Sequence, residues 1–103
     1  MLWGDSLMTL RFKWDGRKAA ANRRKHRVGF AEASTVFDDA LARIFDDVEH
    51  STDEVREIII GNSILERLLV VSFTEVALDA IRIISARLAT RKEREDYEEN
   101  LRA

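Results

Sequence analysis

Cysteine and proline are both missing from this 103-residue chain, which has only four glycines and two histidines. Without cysteine there is neither a disulfide framework nor a thiolate metal site. Two histidines are too few for the usual structural zinc site. Apolar runs fall well short of the roughly 20 residues needed to span a bilayer. No basic leader precedes Leu2 and Trp3, and Gly4 and Asp5 come at once after them, so no secretory signal is expected. Together these absences lead to the expectation of a cytoplasmic protein that needs no metal or cofactor and has no membrane partner. Residues 1–9 add nothing to the pattern of the rest of the chain. They are expected to form a poorly ordered extension, with Met8 as the natural start and residues 10–103 as a single domain.

What the chain does have is charge, at 35% of residues, divided unevenly along its length. Residues 11–27 carry eight Lys or Arg against the single acid Asp15. Residues 28–66 carry ten acids against Arg43 and Arg56. Such a split fits an anionic ligand near the first block and a basic or self-complementary surface near the second. Two blocks that face each other, or stay solvated, would give the same pattern.

Hydrophobic periodicity sets the order of elements. Leu10–Trp14 alternates apolar and basic residues, the period of a half-buried strand. Asp15 is placed to cap a helix running to about His26. Phe30, Ala33, Val36 and Phe37 then recur at helical spacing. Strands are expected at residues 41–45, 55–61, 68–74 and 80–87, with an acidic solvent loop at 46–54. Short connections between the last three strands favour an antiparallel meander. Thr90 and Glu93 have the spacing of a capping box, so a final helix with a thin apolar face is expected. The expected class is α+β: an antiparallel sheet of four to five strands, two N-terminal helices packed on it and a C-terminal helix.

The residues themselves resemble the BrnT family. Phe12-Lys13-Trp14-Asp15 is followed by Lys18, Asn22 and Lys25-His26. Then come Phe30, Glu32-Ala33, Val36-Phe37-Asp38, His50-Ser51, Glu54-Val55-Arg56, Gly61 and Arg67 through Val71. The series closes with Ile81-Arg82-Ile83-Ile84-Ser85-Ala86-Arg87, Ala89-Thr90, Glu93 and Tyr97. The resemblance spans about residues 10–101. It implies a RelE-like fold and an endoribonuclease toxin that stops translation. It also implies a partner, a DNA-binding BrnA-type antitoxin that neutralises the toxin, the pair repressing its own operon. Three positions depart from the family pattern: Arg27 where glycine is usual, Val76-Ala77-Leu78 where Arg and a polar turn are usual, and Leu88 where a basic residue is common. An apolar turn at Val76–Leu78 points to self-association, as a homodimer or within a toxin–antitoxin heterotetramer.

Metal-free RNA cleavage needs a base for the 2′-hydroxyl, cations for the pentavalent phosphate and an acid for the leaving oxygen. Lys18, Asn22, Lys25 and His26 recur on one helix face, a candidate cradle for phosphate and sugar. The family match assigns Lys25 and His26 to catalysis. Lys18 and Asn22 fit RNA binding, or a solvated lysine and an amide bonded to backbone. Arg23 and Arg24 add general attraction for RNA. Arg56 and Arg87 are candidate phosphate ligands, because the guanidinium fork engages two phosphate oxygens. Arg82 is either a third catalytic cation or a structural partner of Glu75 or Asp79. Strict alternation along residues 81–87 puts Arg82 and Arg87 on opposite faces. His50 reads as a solvated loop residue, Glu75 as a candidate base, and Trp14, Phe73 and Tyr97 as packing residues. The competing function is an interaction module that binds antitoxin and tunes repression without cutting RNA.

Overall fold

The first strand, β1 (Arg11–Lys13), is short because Asp15 turns the chain at once into a helix. The Asp15 carboxylate accepts from the Arg17 and Lys18 amides at 2.8 and 3.1 Å, which satisfies two orphan donors at the start of α1 (Gly16–His26). Helix α2 (Phe30–Thr35) comes next and tightens into a 3-10 turn, Val36–Asp38. The chain then forms β2 (Arg43–Asp46), a second 3-10 turn (Val48–His50), β3 (Glu57–Asn62), β4 (Leu68–Ala77), β5 (Ala80–Leu88) and α3 (Arg91–Arg102). A computed structural model describes residues 9–102. Trp3, Met8 and all of the expected extension except Thr9 lie outside the described residues. Among the described residues no helix is long and apolar enough to cross a membrane.

The sheet order is β1-β5-β4-β3-β2. Strands β3 to β5 form the expected antiparallel meander, and β2 extends it by pairing antiparallel with β3. The fourth pairing, of β1 with β5, is parallel, with Phe12 opposite Ile81, so the sheet is mixed. The two helices carry the chain across one face to the far edge, and the meander returns beside β1 running in the same direction.

Each face of the sheet has its own core. On one side Val28, Phe30, Ala33 and Val36 from the helical segment pack on Ile59, Leu69, Val71, Phe73, Ile81, Ile83 and Ala86. Full burial of a Val, Leu, Ile or Phe side chain contributes about 1.5–3 kcal/mol, so this face dominates stability. The other side has only Ile60, Leu68, Val70 and Tyr97, with Ile58 and Ala89 at its margin. Helix α3 reaches it through Tyr97, whose hydroxyl donates to the Leu41 carbonyl at 3.3 Å. The expected capping box is formed: the Glu93 amide donates to Thr90 Oγ1 at 3.1 Å and the Thr90 amide to Glu93 Oε1 at 2.8 Å. Because α3 covers only part of this face, a concave surface remains beside it.

Arg27, standing where the family favours glycine, adopts φ 58°, ψ 34° and donates its amide to the Arg23 carbonyl at 2.9 Å. The helix therefore ends at His26 through a left-handed residue that is not glycine. A left-handed conformation costs a side-chain-bearing residue about 1–2 kcal/mol, part of which glycine returns as unfolded-state entropy. Arg27→Gly is expected to stabilise the fold by about 0.5–1 kcal/mol and raise Tm by a few degrees. A Tm that stays the same or falls in thermal denaturation refutes this.

Candidate active site

A single extra residue in β5 decides which side chains share the exposed face. Ser85 pairs with Ser72, but Ile83 pairs with Phe73, so Ile84 bulges out of the ladder. Up to Ile83 the odd-numbered residues face the helices, whereas beyond the bulge it is Ala86 that does so. The bulge flips the alternation. Arg82, opposite Thr74, and Arg87, opposite Val70, thereby emerge on the same face, away from α1 and α2. The expectation that they point to opposite faces is overturned for this reason.

On that face lies a cleft of about 360 Å³. Ile58, Val70, Ser72, Ile84 and Ser85 form its floor, and Arg56, Arg87, His50, Asp47 and Glu49 form its wall. A second cleft, of about 270 Å³, runs between the sheet and α3 and shares Ile58, Val70 and Arg87 with the first. Its remaining walls include Phe45, Ile60, Tyr97 and Asn100. The two make one concavity, polar at one end and apolar at the other, with Arg87 where they meet.

Arg87 is held but not saturated. Its Nη1 and Nη2 donate to the two Glu93 carboxylate oxygens at 2.7 and 2.9 Å. No hydrogen-bond partner is present among the described residues for Nε. The side edge of the guanidinium, which engages oxyanions in a fork, is therefore open. The Arg87 hydrogen bond, reinforced by the Thr90 amide and hydroxyl, lowers the Glu93 carboxyl to about 2 against burial. Glu93 thus remains an anion throughout the neutral range, and it holds Arg87 through both terminal nitrogens.

Arg56 shows the same incompleteness more sharply: its Nε is buried and has no hydrogen-bond partner. The closest carboxylate, Glu54, lies 3.9 Å from that nitrogen. A buried donor without an acceptor costs about 1–3 kcal/mol. Glu54 instead receives Arg82, whose Nη2 contacts both carboxylate oxygens at 2.6 Å. The structural partner of Arg82 is thus neither Glu75 nor Asp79. Asp79 binds Arg11 at 3.1 Å. Glu75 is exposed beside Glu57, whose carboxyl is raised chiefly by burial and secondly by that neighbour.

The residues expected on α1 are dispersed. Lys18 lines a third cleft, of about 280 Å³, with Asp15 and Arg82, and this one shares Ile84 with the cleft that holds Arg56 and Arg87. Asn22 is buried, its Nδ2 donating to the Val28 and Ala86 carbonyls at 3.0 and 2.8 Å. Its Oδ1 accepts from the Ala86 amide at 3.1 Å. The amide mimics a neighbouring strand along the edge of β5 that β1 is too short to cover. Lys25 and His26 occupy the last turn of α1, together with Arg23 and Arg24, and no α1 residue lines the cleft of Arg56 and Arg87. Arg56 and Arg87 are therefore brought together, and Lys25 and His26 are not brought to them. His50, set aside as a loop residue, does enter the cleft. Its sequence signal was the His50-Ser51 pair ahead of Glu54-Val55-Arg56. Among the described residues no group of three or more His, Asp or Glu side chains is arranged to hold a metal ion.

The family model for the ribonuclease toxin BrnT of type II toxin–antitoxin systems matches residues 14–93. The crystal structure of the ribonuclease toxin BrnT of Brucella abortus is similar, with a TM-score of 0.62 and 27% sequence identity. The match covers 81% of this chain and 100% of that one. No curated protein sequence matches the chain.

Proposed function

The chain belongs to the BrnT family of ribonuclease toxins of type II toxin–antitoxin systems, and on that premise we propose that it cuts RNA without a metal in the cleft shared by Arg56 and Arg87. The observation that carries this reading is the pair of arginines, each with an Nε unpaired among the described residues, lining one concave face. Two cations lining one cleft neutralise the charge that builds on a phosphate as it becomes pentavalent, usually the largest single source of rate enhancement in such chemistry. The apolar end, with Phe45 and Ile60, takes a base next to that phosphate, since an aromatic face accepts any base by stacking. Arg82 and Lys18, across Ile84, continue the positive track for the strand. Arg23, Arg24, Lys25 and His26 serve as peripheral attraction.

Cleavage of messenger RNA halts translation in the cytoplasm, and a DNA-binding BrnA-type antitoxin restrains it by covering the same concave face. Purified chain incubated with single-stranded RNA in EDTA is expected to produce discrete fragments. Its expression should arrest growth until antitoxin is co-expressed. Intact RNA together with normal growth would overturn the reading. A second reading, an antitoxin-binding module without cleavage, is favoured by the fully exposed Leu78 at the β4–β5 turn. Tight antitoxin binding by a protein that leaves RNA intact would select it.

A further inference from the structure

The cleft contains a proton acceptor that the two arginines do not account for. His50 Nδ1 lies 3.0 Å from each carboxylate oxygen of Asp47. Asp47 is the sheltered member, its side chain 13% exposed, while His50 is 62% exposed. Bonding at Nδ1 fixes the tautomer and leaves Nε2 as the free basic nitrogen. An ordinary surface His–Asp contact would have no fixed relation to Arg56, but this one is tied to it. The Asp47 amide donates to the Arg56 carbonyl at 2.9 Å. Ser51 Oγ donates to the Asp47 carbonyl at 2.7 Å and accepts from the Arg56 amide at 2.9 Å. The 47–51 turn is thus pinned to the backbone of the phosphate-binding arginine, which positions a base and a cation as one unit.

We infer that His50 is the general base of the proposed RNA cleavage, with Asp47 as its positioning residue. The inference rests on that reading of the cleft. His50 Nε2 takes the proton of the 2′-hydroxyl as the 2′-oxygen forms a bond to phosphorus. The bond from phosphorus to the 5′-oxygen breaks, and the departing oxygen keeps the electron pair and takes a proton from water. The imidazolium then releases its proton to solvent. One fragment ends in a 2′,3′-cyclic phosphate and the other begins with a 5′-hydroxyl. Arg56 and Arg87 carry the negative charge that appears in between. The charged and titratable groups that share the cleft with His50 are Asp47 and Glu49 from its own turn, Arg56 just before β3 and Arg87 from β5.

The test measures kcat and KM against pH with a single-stranded RNA oligonucleotide, for wild type, His50→Ala, His50→Gln and Asp47→Asn. His50 is exposed, so both of its variants are expected to fold, and circular dichroism checks each one. Loss of a general base lowers kcat by about 10²–10⁴-fold, with KM little changed. The acidic limb of the wild-type profile, on which activity rises as the imidazole loses its proton, disappears in both His50 variants. Asp47→Asn keeps the limb, at reduced kcat. A His50→Ala enzyme with wild-type kcat and an unchanged acidic limb overturns the inference while leaving RNA cleavage in place. Wild-type protein that leaves the oligonucleotide intact removes the functional reading, and this inference with it.

Discussion

Arg87→Ala is expected to lower kcat for RNA cleavage by about 10²–10³-fold, the usual cost of one preorganised charge donor at a developing oxyanion. The size of the effect comes from how Arg87 is held. Glu93 grips its two terminal nitrogens and is itself fixed by the Thr90 amide, so the open edge of the guanidinium is already oriented before RNA arrives. No side-chain entropy remains to be lost at the moment of reaction. Arg87→Lys keeps the charge but loses the planar fork, and should recover only part of the rate. Glu93 would lose its main partner in the alanine variant. Its carboxyl would then titrate nearer the ordinary range, and α3 would be held less firmly through its cap. The pairing stabilises the fold above the unfolded carboxylate pKa of 4.5 and is lost as pH falls toward about 2. Since Arg87 and Glu93 are each at least a third exposed, its worth at neutral pH is about 1 kcal/mol, too little to unfold the chain. Cleavage assays beside thermal melts separate the two effects. A folded Arg87→Ala protein that cleaves at the wild-type rate removes Arg87 from the site.

The largest stability effect is expected at Asn22. Asn22→Ala removes three hydrogen bonds to buried or edge backbone, those to the Ala86 amide and carbonyl and to the Val28 carbonyl. Each buried polar group left unpaired costs about 1–3 kcal/mol, and water entering the gap offsets part of the sum. A loss of about 3–4 kcal/mol is expected, a large share of the 5–15 kcal/mol typical of a domain. Urea denaturation monitored by circular dichroism measures it, and a loss under about 1 kcal/mol would refute the assignment. Ala86 lies between the bulge at Ile84 and Arg87, so slack in this edge also disturbs the face on which Arg87 emerges. Reduced cleavage in this variant should accordingly track stability rather than phosphate binding.

Periodicity was enough to locate the elements, because strands and helices repeat apolar residues at different intervals. The Asp15 cap and the Thr90–Glu93 box are local chemistry, complete within four residues, and both are formed as expected. Arg56 and Arg87 stood out as candidate phosphate ligands from residue type and place in the family pattern, although their meeting in one cleft was not legible. Alternation assumes an unbroken ladder, and a one-residue bulge at Ile84 carries no composition signal, yet it reverses every side chain beyond it. Helical spacing put Lys18, Asn22, Lys25 and His26 on one face, but the nearby edge of β5 drew Asn22 inward while the last turn lay away from the cleft. The glycine-like geometry of Arg27 is imposed by the sharp turn from α1 toward α2, so residue type argued against it. Sequence by itself thus determined the family, the order of elements and the cations on offer, all of which depend on local pattern. Tertiary structure alone decided which cations share a face, that Arg82 answers to Glu54, and that His50 joins Asp47 beside Arg56. His50 and Asp47 are neighbours within one turn, but the placing of that turn beside Arg56 and Arg87, and the union of Arg82 with Glu54, join distant parts of the chain that spacing alone cannot bring together.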